Sequence, residues 1–318
     1  MDTPLLVIVN PAALRGDAAA GFAQLRAALS PDAAVVRETV GDGADAARVG
    51  DWLASLRPRA VVAAGGDGTL RTVACALMQL PPHDRPALGL APLGTANNVA
   101  RSLGLARLGR DPAAVRAAAA VLLGATTRPL DVGRANGAWF VGSCAAGMDA
   151  AILADRNRWR ARWRLGPILG GYPLYLLACA VGLARHRAIV AELSHDGDPP
   201  VAQALHNLLI LNTALYAGEF RFDAADHSAD GRLDVHAFAD AGAYVRGFVT
   251  AWRRQLCAAV PPPPLRRVAT LSARFTAPIP LQLDGEEAGR VESLTIEVVP
   301  AALRILCAPP RPAVLGSA

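Results

Sequence analysis

The sequence predicts a two-domain protein of the α/β plus β class. An N-terminal α/β domain over residues 1–128 is built on a parallel sheet, and a mainly antiparallel β-sandwich domain covers 129–318. Three observations predict this. The chain has 318 residues, twice the roughly 150 of a typical single core. Its first third alternates short apolar runs with helical stretches, the order that builds βαβ units and a parallel sheet. From Leu130 onward, apolar runs succeed one another with turn residues between them, as in antiparallel sheets. Hydrophobic residues make up 53% of the chain and charged residues 19%, enough apolar matter for two cores and too much for a disordered chain.

In the first domain, residues 5–10 read as a strand and 18–29 as the helix after it. Residues 33–39 are a second strand, 42–56 a helix, and 60–64 a third strand that runs straight into a glycine loop. A helix begins near Thr69 and carries Leu70, Val73, Ala74 and Leu77 on one face, and Pro81-Pro82 ends it. Residues 87–91 form a fourth strand, and a second loop, 92–98, leads into a helix at 99–103. Asp111 and Pro112 supply an N-cap and a proline at the first helical position, and the alanine-rich run after them stops at Gly124. A Rossmann-like domain is the expectation. In the second domain, strands are expected at 130–134, 138–144, 188–194, 205–211, 233–238, 269–275, 279–284 and 294–299, with one helical interruption over 152–187. The last strands are candidates to return to the first domain.

Net charge is +5 and the pI is near 9.3, which favours an anionic partner such as a nucleotide, a nucleic acid or a membrane surface. All 32 basic residues are arginine and no lysine occurs. That excludes a Walker-A ATPase, a protein kinase and a Schiff-base enzyme, each of which needs a lysine amine. The five cysteines are scattered, without Cys-x-x-Cys or paired histidines, so neither a zinc site nor a disulfide framework is indicated. The N-terminus lacks a cationic segment and breaks at Asn10-Pro11, as a first strand of a cytoplasmic protein would.

The helical interruption has two parts. Arg156, Arg158, Arg160, Arg162 and Arg164 surround Trp159 and Trp163, which lie four apart on one helix face. Such a segment suits an anionic membrane surface, and equally a solvated basic face with two tryptophans packed inward. Residues 165–184 are apolar for nearly the length of a membrane span, but Pro167, Gly170, Gly171 and Pro173 interrupt them, so a buried or interfacial helix is expected.

Two loops carry the chemistry. Gly65-Gly66-Asp67-Gly68-Thr69 stands between an apolar strand and an amphipathic helix, where backbone N–H groups and the positive end of the helix dipole hold phosphate. A tight strand-to-helix turn capped by Asp67 would use the same residues. The second loop, Pro92-Leu93-Gly94-Thr95-Ala96-Asn97-Asn98, again follows a strand. Two such loops at the carboxyl ends of neighbouring strands face one crevice, where open α/β sheets bind ligands.

Gly-Gly-Asp-Gly-Thr-Leu at 65–70, followed by Pro-Leu-Gly-Thr-x-Asn at 92–97 and then Ala100-Arg101, resembles the diacylglycerol kinase catalytic domain. That family includes bacterial lipid kinases and sphingosine kinases and is distantly related to NAD kinases. The likeness extends to Asn10-Pro11, Thr39, Leu130-Asp131-Val132-Gly133 and Gly147-Met148-Asp149-Ala150. It continues through Ser228-Ala229-Asp230-Gly231-Arg232-Leu233-Asp234 and Leu283-Asp284-Gly285-Glu286, nearly the whole chain in order.

The resemblance implies an ATP-dependent lipid kinase that moves the γ-phosphoryl group of ATP to the hydroxyl of a lipid such as diacylglycerol, with Mg2+ as the metal. It implies that Gly65, Gly66, Asp67, Gly68, Thr69, Leu70 and Arg71 contact ATP, together with Thr39, Gly94, Thr95, Asn97 and Asn98, with Asn10 close by. It further implies that Glu286 accepts the proton of the lipid hydroxyl, that Asp284 supports it, and that Asp67 joins a magnesium network. At an extended strand end Asp284 and Glu286, two apart, share a face; spacing alone favours an Asp-Gly hairpin turn with a solvated glutamate, and only the resemblance reverses that. His227, Asp230 and Arg232 match the family's structural Mg2+ site, in which Asp230 gives a carboxylate and His227 and Arg232 give backbone oxygens, a hard-cation set. The same residues suit an ordinary Asp-Gly turn.

The chain departs from the family at several positions. Arg71-Thr72 replace the usual Asn-Glu. Asn98 stands where a metal-linked aspartate is common and can ligate only through its amide oxygen. Ala12-Ala13-Leu14-Arg15-Gly16 replace the usual Ser-Gly after Asn10-Pro11, and Arg15 and Arg71 are expected to restore phosphate contacts as bidentate donors. Two other functions stay compatible with the residues: a kinase of the same superfamily acting on a soluble substrate such as NAD, and a catalytically weak nucleotide- or lipid-binding regulator. The expected partners are a lipid alcohol and the anionic inner face of a membrane, without nucleic acid. The choice of lipid and the oligomeric state, a dimer included, are left open.

Overall fold

The computed structural model describes residues 4–29, 32–163, 171–223, 227–257 and 259–309. They form two compact units. One takes the chain up to Gly94, Leu105–Leu130 and the residues from Leu303 onward, and the other takes Thr95–Gly104 and Asp131–Ala302.

The first unit is the α/β one. It runs β1 (Leu5–Val9), α1 (Asp17–Leu29), β2 (Ala34–Glu38), α2 (Asp45–Leu56), β3 (Ala60–Gly65), α3 (Asp67–Met78) and β4 (Ala87–Pro92). The chain then leaves for α4 (Asn98–Ser102), part of the second unit, and returns in α5 (Pro112–Leu123). The strands are parallel in the order β4-β3-β1-β2. Strands β1, β3 and β4 are continuous apolar runs because helices cover both faces, whereas β2, at the edge, ends in exposed Arg37 and Glu38. Leu5, Val7 and Val9 pack with Phe22 and Leu25 of α1 and Val115 and Leu122 of α5, while the intervening Leu6 and Ile8 are also fully buried. Helices α1 and α5 pack together, as do α2 and α3. The chain leaves β1 toward β2 and leaves β3 in the opposite direction toward β4, so their carboxyl ends flank a topological switch point. Helix α5 starts where Asp111 accepts from Ala113 N at 2.9 Å, with Pro112 at the first position.

The second unit contains β5 (Thr127–Ala135), which begins in the first, then β6 (Ala138–Phe140), β7 (Ser143–Gly147), α6 (Met148–Arg162) and α7 (Tyr172–Arg185). After these come β8 (Ile189–His195), β9 (Val201–Leu205), β10 (Asn207–Leu211), the short pair β11 (Leu215–Tyr216) and β12 (Phe220–Arg221), and β13 (Leu233–Phe238). Helix α8 (Ala241–Leu256), β14 (Arg266–Val268), β15 (Thr270–Leu283) and β16 (Glu286–Leu306) complete it. Antiparallel pairing runs β14-β13-β10-β7-β15-β16, with β8 beside β15, β9 beside β8 and β5 on β16. The last residues of β16 belong to the first unit, where Ile305 pairs in parallel with Leu88. Alternation divides the side chains of the central strands. Cys144, Ala146, Leu208 and Ile210 enter a core built from strands, whereas Ala145, Leu209 and Leu211 face Met148, Ile152, Ala178 and Phe248 of the three long helices. Period 2 with both faces buried again yields unbroken apolar runs.

The expected elements differ from those found in several places. The helical interruption is two helices, and a further one, α8, follows β13. Helix α8 contains Gly242, Gly247, two valines and a threonine, all weak helix formers; the Asp240 cap, which accepts from Ala243 N at 2.7 Å, and burial of one face hold it. Residues 138–144 take in all of β6 and the start of β7, and 205–211 the last residue of β9 and all of β10, whereas 269–275 and 279–284 are one strand with a register irregularity between Arg274 and Ile279. Trp159 stacks on Trp163 with centroids 5.7 Å apart; Trp159 packs on the helix-covered core and Trp163 is half exposed. Arg164, Pro167 and Gly170 lie outside the described residues. No helix among the described residues is long and apolar enough to cross a membrane.

Gly133 faces Phe140 across the β5–β6 hairpin, and a Cβ there would stand 2.1 Å from the Phe140 ring, which is fully buried and has no room to move. Gly133→Val should therefore lower stability by about 1–3 kcal/mol in urea unfolding. Gly50→Ala in α2 meets nothing within 4 Å and should raise stability by up to about 1 kcal/mol.

Candidate active site

In the first unit the sequence-predicted residues gather at the carboxyl edge of the parallel sheet. Val9 is in register with Glu38 and with Ala64, and Gly65 with Pro92, so Asn10, Thr39, Gly65 and the start of the second loop all leave the sheet at one level. Asn10 N donates to Ala64 O at 3.3 Å, and the Asn10 side chain accepts from Ala12 N at 2.9 Å, which opens the short 3-10 turn Pro11–Ala13. Thr39 N donates to Val9 O at 2.9 Å, and its buried hydroxyl donates to the same oxygen at 3.4 Å.

Gly65 ends β3, and its carbonyl accepts from Leu93 N at 2.9 Å and Gly94 N at 3.2 Å. This fastens the start of the second loop to the first. A Cβ on Gly65 would lie 2.2 Å from Thr69 Oγ1, so the Thr69 side chain folds back over the strand end. Thr69 and Leu70 are buried, while Gly66, Asp67, Gly68 and Arg71 are half-buried. The part of the loop open to a ligand is therefore 66–68. Helix α3 begins at Asp67, two residues before the expected start, with Gly66 at the N-cap and no side-chain cap. A glycine there leaves first-turn N–H groups to an anion.

Thr95, Asn97 and Asn98 belong to the second unit. Asn97 is buried at φ 48° and caps α4 by its backbone only. Asn98 Oδ1 accepts from Gly218 N at 2.7 Å, Ser102 Oγ accepts from Leu215 N at 3.1 Å, and the Arg101 guanidinium donates to Gly218 O. Asn98 thus uses its amide oxygen to fasten α4 to the β11–β12 hairpin.

Asp284 and Gly285 have φ of 51° and 83°, the two left-handed positions of a tight hairpin turn between β15 and β16. Of the two readings of this pair, the Asp-Gly hairpin that spacing favours is the one that forms, and the extended strand end with both carboxylates on one face does not. The Asp284 carboxylate turns into the loop after β6, accepting from Val141 N at 2.8 Å, Gly142 N at 2.7 Å and Ser143 N at 2.9 Å. That arrangement makes Asp284 a positioning residue for the turn. Glu286 is exposed and opens β16 in register with Leu283.

In the turn at 227–232, Asp230 N donates to His227 O at 3.3 Å and Asp230 Oδ1 accepts from Arg232 N at 2.9 Å. The Arg232 guanidinium is drawn off to Asp196 Oδ2 at 3.3 Å. The turn thus offers one carboxylate and two peptide oxygens, a donor chemistry that fits a hard divalent cation. No cluster of three or more His, Cys, Asp or Glu that could hold a metal is found among the described residues.

Four residues gained no role from sequence. Asp131 is buried, and its carboxylate accepts from Gly231 N and Ala301 N, both at 2.7 Å, so it ties the 227–232 turn to β16. Burial pushes its carboxyl upward against these two bonds. Gln282 Oε1 accepts from Gly285 N at 2.7 Å, and its amide donates to Tyr216 Oη at 3.3 Å. Tyr216 in turn bonds Asp149, whose carboxylate also accepts from Tyr244 Oη at 2.5 Å and Asn207 Nδ2 at 2.9 Å. A buried polar chain therefore runs from the Asp284-Gly285 turn to Asp149. Asp131 and Asp149 lie in motifs that the sequence displays, while nothing local marks Gln282 or Tyr216.

Residues 4–135 match the family model of the diacylglycerol kinase catalytic domain, so the resemblance seen in the motifs holds for that stretch. The chain is 31% identical over 176 residues to a diacylglycerol kinase of Bacillus subtilis, covering 55% of this chain and 53% of that protein. It is 36% identical over 185 residues to a Pseudomonas aeruginosa protein named Probable lipid kinase YegS-like, covering 57% and 55%. The chain thus spans about half the length of these relatives. A crystal structure of a diacylglycerol kinase from Bacillus anthracis superposes with a TM-score of 0.72 at 19% identity, over 96% of this chain and 97% of that one. An NAD kinase from Archaeoglobus fulgidus in complex with ATP superposes with a TM-score of 0.52 at 9% identity, over 95% and 93%. At these identities the two structures speak for the fold.

Burial pushes Asp149 up to about 6, against the lowering effect of its bonds from Tyr244, Asn207 and Tyr216. A carboxyl raised in the folded state binds its proton more tightly there than when unfolded, so its contribution to stability is full below pH 4 and is lost as the pH rises through 6. Wild type should lose up to about 3 kcal/mol between pH 4 and 7 from this group. Asp149→Asn should flatten that part of the stability profile, as followed by urea unfolding at a series of pH values.

Proposed function

We propose that the chain is an ATP-dependent lipid kinase, transferring the γ-phosphoryl group of ATP to the hydroxyl of a lipid such as diacylglycerol. One observation carries this: the glycine loop at 65–69 stands at the switch point of a parallel sheet, inside the stretch that matches the diacylglycerol kinase catalytic domain. Phosphate oxygens take the N–H groups of 66–68 and the first turn of α3, where the helix dipole adds favourable potential. Arg71, one turn into the helix and half-buried, would meet phosphate as a planar double donor. Thr39 and Asn10 shape the neighbouring strand ends.

Glu286 is the proton acceptor in this mechanism, since it is exposed to an incoming alcohol while Asp284 is occupied by three backbone donors. Asp284 holds the tight turn from which Glu286 projects. Asp230 with the backbone oxygens of His227 and Arg232 would hold a structural Mg2+, and Asp67 contributes a carboxylate at the phosphate loop. Bound Mg2+ supplies charge screening between phosphate oxygens.

Glu286→Gln should lower the rate of label transfer from radiolabelled ATP to lipid by about 10²- to 10⁴-fold, with little change in KM for ATP. Equal rates in the two proteins would sink the assignment of the base. A panel of diacylglycerol, sphingoid base, ceramide and NAD identifies the acceptor, and transfer to NAD alone would replace the lipid kinase by a soluble-substrate kinase. Gly65→Ala, which drives a methyl into the Thr69 side chain, should abolish the rise in melting temperature that MgATP gives wild type.

A further inference from the structure

Helix α8 is apolar on two adjoining faces. Tyr244, Phe248 and Ala251 enter the helix-covered core of the second unit. Beside them Val245, Val249, Trp252 and Leu256 recur at i, i+4, i+7 and i+11, which is one stripe of a helix, and all four are 40–70% exposed. A helix needed only for the core would be polar along that stripe. The stripe borders a groove of about 360 Å3 whose far wall is Tyr175, Leu176 and Cys179 of α7, and Leu177 next to it is also half exposed.

The charges on the two helices that form this face have one sign. Neither α7 nor α8 contains an aspartate or glutamate. Arg246 and Arg253 are exposed and, at about 100° per residue, lie roughly a quarter turn from the stripe. Exposed Arg185 ends α7, and α6, which packs on α7, ends with exposed Arg160 and Arg162. Glu219 is the single carboxylate among the residues lining the groove.

We infer that the Val245–Val249–Trp252–Leu256 stripe of α8, with the groove beside α7, seats on the surface of an anionic lipid bilayer. An apolar stripe bordered by arginines is the pattern of a helix lying in the headgroup layer, with the guanidinium groups reaching outward to lipid phosphates. A second copy of the chain is a poor occupant, because self-pairing about a twofold axis brings the same patch of both copies together and sets arginine rim against arginine rim. Trp252, with an apolar body and one N–H donor, suits the interface between hydrocarbon and water.

Sedimentation of the full chain with vesicles, in the absence of nucleotide, tests this. Vesicles containing phosphatidylglycerol should bind the chain and pure phosphatidylcholine should bind it much more weakly, with the difference shrinking as salt rises. Arg246→Gln with Arg253→Gln should weaken binding to the anionic vesicles about 25-fold, at about fivefold per arginine. Val249→Ser with Trp252→Ser should weaken it at least about tenfold. Thermal unfolding of the arginine variant should match wild type, since both side chains are exposed, and the serine variant, whose side chains are about half buried, should remain folded at the assay temperature. No binding to anionic vesicles at low salt would overturn the inference, as would binding that both variants leave unchanged. A concentration-dependent dimer in the absence of lipid that Val249→Ser with Trp252→Ser abolishes would overturn it too, by giving the stripe to a second copy. Neither ATP nor a phosphoryl acceptor enters the measurement, so its outcome is separate from that of the proposed kinase activity.

Discussion

Strands buried on both faces set the terms for everything else in this chain. Such a strand has no solvent side on which to carry polar groups, so its side chains are almost all apolar and its chemistry is pushed to its ends. In the first unit the ends of β1, β2, β3 and β4 come to one level, and the residues that leave them there are Asn10, Thr39, Gly65 and Leu93. The two-face constraint also explains why Gly65 tolerates no side chain. Thr69 must fold back over the strand end to keep the core closed, and it occupies the space that a Cβ would need.

In the second unit the same constraint acts on the polar residues left inside. Asp131, Asp149 and Asp284 are all acceptors for groups that burial would otherwise leave unpaired, and two of them serve backbone N–H groups alone in the bonds described above. Asp284 joins a turn to the loop after β6, Asp131 joins the 227–232 turn to β16, and Asp149 gathers two tyrosines and an asparagine. Glu286 differs from all three in being exposed at a strand start. The contrast separates three carboxylates that fasten turns and loops together from one that lies at the surface.

Local signals made much of the first unit legible. Apolar runs of strand length, the glycine loop and the Asp111-Pro112 cap with Gly124 each act within a few residues of the element they define. Helix α8 was not legible, because its glycines, valines and threonine speak against a helix and only burial of Tyr244, Phe248 and Ala251 makes it one. The fate of Asp284 was hidden for a related reason. An Asp-Gly pair announces a turn, but the three N–H groups that claim its carboxylate come from residues more than 140 positions earlier. Gln282 and Tyr216 are 66 apart in sequence, and no periodicity or motif couples them. Asp131 and Asp149 fell between these cases: their motifs were visible, while the partners that explain them were not.

The buried polar chain from Gly285 through Gln282, Tyr216 and Asp149 to Tyr244 has an evolutionary consequence. Gln282 and Tyr216 each donate to one neighbour and accept from another, Asp149 is the acceptor on which several donors meet, and Tyr244 donates to it, so replacing any of these four side chains by an apolar one strands its neighbours in a medium that cannot solvate them. Single replacements along this path are therefore costly while concerted ones need not be. Sequence drift at these four positions should be strongly epistatic, and the route by which such a chain could acquire a differently shaped groove beside Tyr244 passes through simultaneous change at Gln282, next to the turn that carries Glu286.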